Sequence, residues 1–87
     1  MVLTMADIVI LHKNFNGRQS VRYFMNWSNA QVAMDKDIEE CLRVLGGEIR
    51  ERLVDFTGDI AKYEVYAFFG EEGACGWYLS EEYFEDR

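Results

Sequence analysis

The chain has no proline, two cysteines and a single histidine among 87 residues. It also has no low-complexity run and no internal repeat. A secreted mini-domain stapled by disulfides normally carries four or more cysteines. Cys41 and Cys75 each sit among apolar residues, so they read as free buried thiols in a reducing, cytoplasmic setting. The first residues (Met-Val-Leu-Thr-Met-Ala-Asp) lack the basic and apolar regions of a signal peptide. The longest aliphatic run, Ile8-Val9-Ile10-Leu11, is far too short to cross a membrane, so no membrane association is expected. Positive charge is also scarce: 9 Lys and Arg face 16 Asp and Glu, for a net charge of −7. A protein that works by neutralising phosphates needs the opposite balance, so direct nucleic-acid binding is not expected.

What is present is a globular balance, 49% hydrophobic and 15% aromatic, on a chain long enough for one domain spanning residues 1–87. The charge is uneven. Residues 1–34 hold Asp7 against Lys13, Arg18 and Arg22, whereas residues 35–87 hold 15 acids against six bases. A mildly basic first third therefore precedes a strongly acidic remainder.

Residues 7–13 are β-branched and apolar and read as a strand. Asn16-Gly17 is a strong hairpin signal, because both residues tolerate positive φ in a type I′ turn. Residues 18–27 return as a second strand. A two-residue loop places Ile10 opposite Tyr23 and Ile8 opposite Met25, with Val21 and Trp27 on the same face, and those pairs are the expected core face. Val9, Leu11, Phe15 and Phe24 then occupy a second face, too apolar for plain solvent exposure.

A helical stripe follows at Met34, Ile38, Cys41, Leu42, Leu45, Ile49, Leu53 and Phe56. Asp37 with Glu40, or Ser28 with Gln31 further upstream, offers a capping box, and Thr57-Gly58 offers a left-handed end. Glu39–Arg43 and Glu48–Arg52 are spaced as pairs on the helix surface. Gly46-Gly47 interrupts this stripe, and a break there into two short helices is the competing reading. Residues 62–69 and 74–80 read as two more strands around a turn at Gly70–Gly73. Cys75, Trp77 and Leu79 share one face of the last strand. The expected fold is α+β with ββαββ order: a four-stranded sheet with one long helix, or one broken at Gly46-Gly47, packed on one face.

Motifs for catalysis are weak. His12 has no evident nucleophile or carboxylate partner, and nothing in the spacing brings Cys41 or Cys75 to it. Three scattered ligands do not make a structural zinc site, and Asp35-Lys36-Asp37 lacks the rest of a calcium loop. Gly70, Gly73 and Gly76 precede a strand rather than a helix and enclose two glutamates, so they do not form a phosphate loop. Tyr63, Tyr66, Phe68 and Phe69 form an aromatic strand of the kind on which RNA bases stack, but the acidic balance opposes an RNA backbone. The residues point to no enzyme, no cofactor and no metal.

The acidic clusters Glu71-Glu72, Glu81-Glu82 and Glu85-Asp86 remain, with only Arg87 near them in sequence to compensate. Concentrated negative charge steers a basic partner, and Tyr78, Tyr83 and Phe84 lie nearby as aromatic anchors. The expectation is a small acidic inhibitor that docks on the basic groove of a nucleic-acid-handling protein, with carboxylates standing in for phosphates. In size and charge alone, this is the build of anti-CRISPR proteins and other phage-type DNA mimics, and of immunity proteins. The alternative is a homodimeric accessory subunit that self-associates through Val9, Leu11, Phe15 and Phe24.

Overall fold

The computed structural model describes residues 7–55 and 62–83. Strands β1 (Ile8–Phe15) and β2 (Arg18–Phe24) form a hairpin that leads into helix α1 (Trp27–Leu45). Strands β3 (Glu48–Asp55) and β4 (Lys62–Phe68) follow, then a single 3-10 turn at Gly70–Glu72 and strand β5 (Ala74–Glu82). The strands form one antiparallel sheet in the order β2-β1-β5-β4-β3. The class is α+β with one helix on a sheet, as expected, but the sheet has five strands rather than four and the order is ββαβββ.

The fifth strand comes from the segment expected to continue the helix. Gly46 adopts φ 71°, and its N–H closes on the Leu42 carbonyl at 2.9 Å, which ends α1 at Leu45. Gly47 then passes against Phe69, where a Cβ would collide with the ring and with the Phe68 carbonyl. The chain re-emerges as β3 and pairs with β4, so Glu48 and Arg52 lie on a strand and not on a helix surface. The spacing of Ile49 and Leu53 fits a helix and an alternating strand equally well. A bulge between Ile49 and Glu51 then sends them to opposite faces, Ile49 opposite Ala67 and Leu53 opposite Glu64. The expected end at Thr57-Gly58 lies outside the described residues. At its start, α1 is capped by Asn26, whose side chain accepts the Asn29 N–H at 2.9 Å, two residues upstream of the Ser28 box.

The hairpin turn forms as the Asn16-Gly17 pair dictates, with φ 53° and 87°. Phe15 pairs with Arg18, and Ile10 lies opposite Tyr23. Its facing is the reverse of the expectation. Val9 and Leu11 are buried in the main core, with Phe15 and Phe24 packed against it, whereas Val21, Tyr23 and Met25 are exposed. The apolar second face is the face that α1 covers. From the expected set, Trp27, by then on the helix, packs against that core, and Ile10 is buried although it lies outside the cluster under α1.

Met34, Ile38 and Ala30 of α1 press onto Val9, Leu11, Val65, Ala67, Cys75, Trp77 and Leu79. Trp77 is 1% exposed and lies at the centre. Its indole N–H donates to Asp37 Oδ2 at 2.8 Å, and Lys13 Nζ meets the same oxygen at 2.8 Å. Tyr63 donates to Asp35 at 2.9 Å, a second polar bracket between helix and sheet. Asn16 ties the hairpin turn to the β4–β5 turn: its amide donates to the Glu72 carbonyl and its oxygen accepts the Ala74 N–H, both at 2.8 Å. Both cysteines are free thiols, Cys75 buried and Cys41 at the margin of the core. Edge strand β3 carries Glu48, Arg50, Glu51 and Arg52 besides its bulge, features that discourage edge-to-edge pairing.

Candidate functional site

Because α1 covers one face of the sheet, the side chains that alternate with the core point to the other. Cross-strand register arranges them in rows. One row runs Glu51, Tyr66, Gly76, Asn14 from β3 to β1. The next runs Leu53, Glu64, Tyr78, His12, Val21 from β3 to β2. Tyr66 is 46% exposed, Tyr78 44% and Leu53 42%, an unusual concentration of large apolar surface on one side of a sheet.

Gly76 shapes this face. It has no side chain, and a Cβ there would meet only the Tyr66 ring at 3.6 Å. The result is a groove of about 310 Å³ walled by Tyr66 and Tyr78, bordered by Asn14, Leu53, Glu51 and Glu64, and floored along Val65 and Trp77. His12 lies flat on Tyr78, with ring centroids 4.2 Å apart and planes 5° from parallel, and its Nε2 is 2.7 Å from Ser80 Oγ. Burial lowers the His12 pKa below its ordinary value, which favours the neutral ring at neutral pH. The stack and the Ser80 contact hold Tyr78 in place. Cys75 lies on the covered face and Cys41 on the helix above it, so the sheet separates both thiols from His12.

The carboxylates bordering the groove, Glu51 and Glu64, make no ion pair among the described residues. Among the described residues the ion pairs are Lys13–Asp37, Arg43–Glu40 and Arg50–Glu48, and none involves Glu51, Glu64 or Glu82. Arg50 is further engaged over the Phe68 ring at 4.9 Å. No group of three His, Cys, Asp or Glu among the described residues is arranged to hold a metal ion, and no helix there is long and apolar enough to cross a membrane.

The acidic residues singled out from the sequence do not gather on one surface. Glu71 and Glu72 lie in the β4–β5 turn, while Glu81 and Glu82 lie at the far end of β5. At roughly 3.3 Å per residue, the nine-residue strand separates them by about 25–30 Å. Glu81 is opposite Val9 and faces the helix side, whereas Glu82 is opposite Ile8 and faces the open side. Tyr83 is tied to Glu81 by a 2.6 Å hydrogen bond from its hydroxyl. Phe84, Glu85 and Asp86 lie outside the described residues. Of the expected anchors among the described residues, Tyr78 stands on the open face beside the groove and Tyr83 does not line it.

Glu51, Leu53, Glu64, Tyr66 and Gly76 carry no sequence motif that marks them as a site. A helix continued through Glu51 and Leu53 keeps them away from Tyr66. The Gly46-Gly47 pair was the one signal that could have released them. No family model, curated protein or solved structure matches this chain.

Proposed function

We propose that this is a small acidic binding protein that docks on a basic nucleic-acid-handling protein and blocks it. The observation that carries the reading is the sheet face opposite α1, where exposed Tyr66 and Tyr78 stand beside Glu51 and Glu64. Aromatic side chains supply buried contact area at interface cores, and carboxylates with no ion-pair partner among the described residues favour a cationic partner. The net charge of −7 adds long-range attraction and raises the association rate. In this reading the terminal clusters Glu71-Glu72 and Glu81-Glu82 steer the encounter, and the sheet face makes the contact. Phage-type inhibitors, including anti-CRISPR proteins and DNA mimics, and immunity proteins share this build of size and charge. Self-association through Val9, Leu11, Phe15 and Phe24 is not proposed, because α1 and the core occupy that face.

The test is capture of partners from native host lysate treated with nuclease, read by mass spectrometry, with the intact chain and a Tyr66→Ala/Tyr78→Ala variant as baits. The expected result is one stoichiometric basic protein that handles DNA or RNA, retained by the intact chain and lost by the variant. Equal retention by both baits, or recovery of the bait alone, overturns the proposal.

A further inference from the structure

We infer that the groove over Gly76 is a receptor for a single arginine side chain presented by the protein partner. The inference rests on the reading of the open face as the docking surface, and it names the group that face recognises.

Three features of the groove converge on a planar cation. Tyr66 and Tyr78 are neighbours across the β4–β5 ladder, one opposite Gly76 and the other two residues further along β5. Gly76 has no side chain to fill the space between them, which leaves a slot in the groove. A flat group entering the slot meets aromatic surface, and the negative face of a tyrosine ring attracts a cation. Glu51 is opposite Tyr66 and Glu64 is opposite Tyr78, so each ring has a carboxylate next to it on the adjoining strand. Neither carboxylate has an ion-pair partner among the described residues.

The same geometry separates guanidinium from ammonium. Arginine is planar, stacks on aromatic rings and carries a fork of donors that spans two carboxylates. Lysine offers a compact, strongly hydrated charge that gives up more hydration to enter an apolar slot. The remaining polar residue of the rim, Asn14, is already engaged: its Oδ1 accepts the Gly17 N–H at 2.8 Å. A second copy of this chain is a poor occupant, because its own open face would bring carboxylates against carboxylates.

The test uses the isolated chain and needs no partner. Backbone amide spectra are recorded while N-acetyl-arginine methylamide is added at millimolar concentrations, with the lysine analogue as comparison. The expected result is saturable shifts concentrated at Gly76, Tyr66 and Tyr78, stronger for arginine than for lysine. Tyr78→Leu should weaken binding roughly twofold to fivefold, the scale of one exposed cation–π contact. Glu51→Gln/Glu64→Gln should weaken it further, and both variants are surface changes whose fold is read from the same spectra. Gly76→Val fills the slot and should abolish binding. Shifts spread over every acidic surface, equal response to the lysine analogue, or no response overturn the arginine receptor. The two proposals fail separately. Arginine binding without a captured partner leaves the receptor standing, and capture that depends on Tyr66 and Tyr78 without arginine binding leaves only the docking reading.

Discussion

Lys13 Nζ on β1 lies 2.8 Å from Asp37 Oδ2 on α1, an ion pair that spans the space between sheet and helix. Burial disfavours both charges, yet the pair outweighs it. The Lys13 hydrogen bond and charge, with the Trp77 N–H, hold the Asp37 carboxyl below its ordinary pKa, and Asp37 in turn raises Lys13 above its own. Asp37→Ala removes the acceptor of both Lys13 and Trp77 and should cost about 1–3 kcal/mol, between the values for surface and buried pairs. Asp37→Asn keeps an acceptor for Trp77 and should cost less. The sign with pH follows from the shifts. A lowered carboxyl pKa gives stability that is complete above the ordinary carboxylate range and is lost as pH falls through the folded value. A raised lysine pKa gives stability that is lost only as strongly alkaline pH passes its folded value. Urea unfolding of the intact chain and Asp37→Asn should therefore differ at neutral pH and converge in acid.

Gly47 has an ordinary backbone conformation, so replacing it tests packing alone. Gly47→Ala drives a methyl into the Phe69 ring and the Phe68 carbonyl. The expected loss is about 1–3 kcal/mol, the scale of an overpacked core. Gly46→Ala meets no neighbour and is penalised only through its positive φ, by about 1–2 kcal/mol. Thermal denaturation of each variant distinguishes the two mechanisms if Phe69→Leu relieves Gly47→Ala and leaves Gly46→Ala unchanged.

Leu11 and Phe24 lie under the helix, and their replacement tests which face of the hairpin is the core. Leu11→Ala should cost about 2–5 kcal/mol, as for other leucines buried in a core. Leu11→Asp/Phe24→Asp should unfold the chain, seen as loss of near-ultraviolet dichroism. A folded double variant with unchanged dichroism would return these residues to the surface.

Cys75 is buried and its thiol is pushed up to about 12 by desolvation, so almost none is thiolate at neutral pH. Cys41 is also raised by burial, but it lies at the margin of the core, with Lys13 Nζ 3.7 Å from its sulfur. Iodoacetamide at mildly alkaline pH should modify Cys41 first, and Cys75 only when the chain unfolds. Peptide mass spectrometry reads the order directly, and equal rates in the native protein would contradict the burial of Cys75.

Local chemistry makes some of this architecture legible and hides the rest. The Asn16-Gly17 turn was readable because two residues that tolerate positive φ specify a hairpin without help from distant contacts. Strands β4 and β5 were readable because their alternation is steep: Tyr63, Val65 and Ala67 are buried between exposed Glu64, Tyr66 and Phe68, and Cys75, Trp77 and Leu79 repeat the pattern. The end of α1 was hidden because Ile49 and Leu53, four residues apart, satisfy the helical and the strand period together. The groove was hidden with it, since Glu51 reaches Tyr66 only once β3 is a strand.

Residue order alone sets the class of the fold, the hairpin turn, the acidic character and the apolar stripe of Met34, Ile38 and Cys41. Each depends on intrinsic backbone preference or on a period within one segment. Tertiary structure decided which side of the first hairpin became core, because both sides are apolar enough and the choice rests on where α1 lands. It also decided that Glu71-Glu72 and Glu81-Glu82 stand at opposite ends of β5, whereas Glu51, Glu64, Tyr66 and Tyr78 meet around Gly76. Strand pairing sets those distances, and residues far apart along the chain become neighbours only through the register of the sheet.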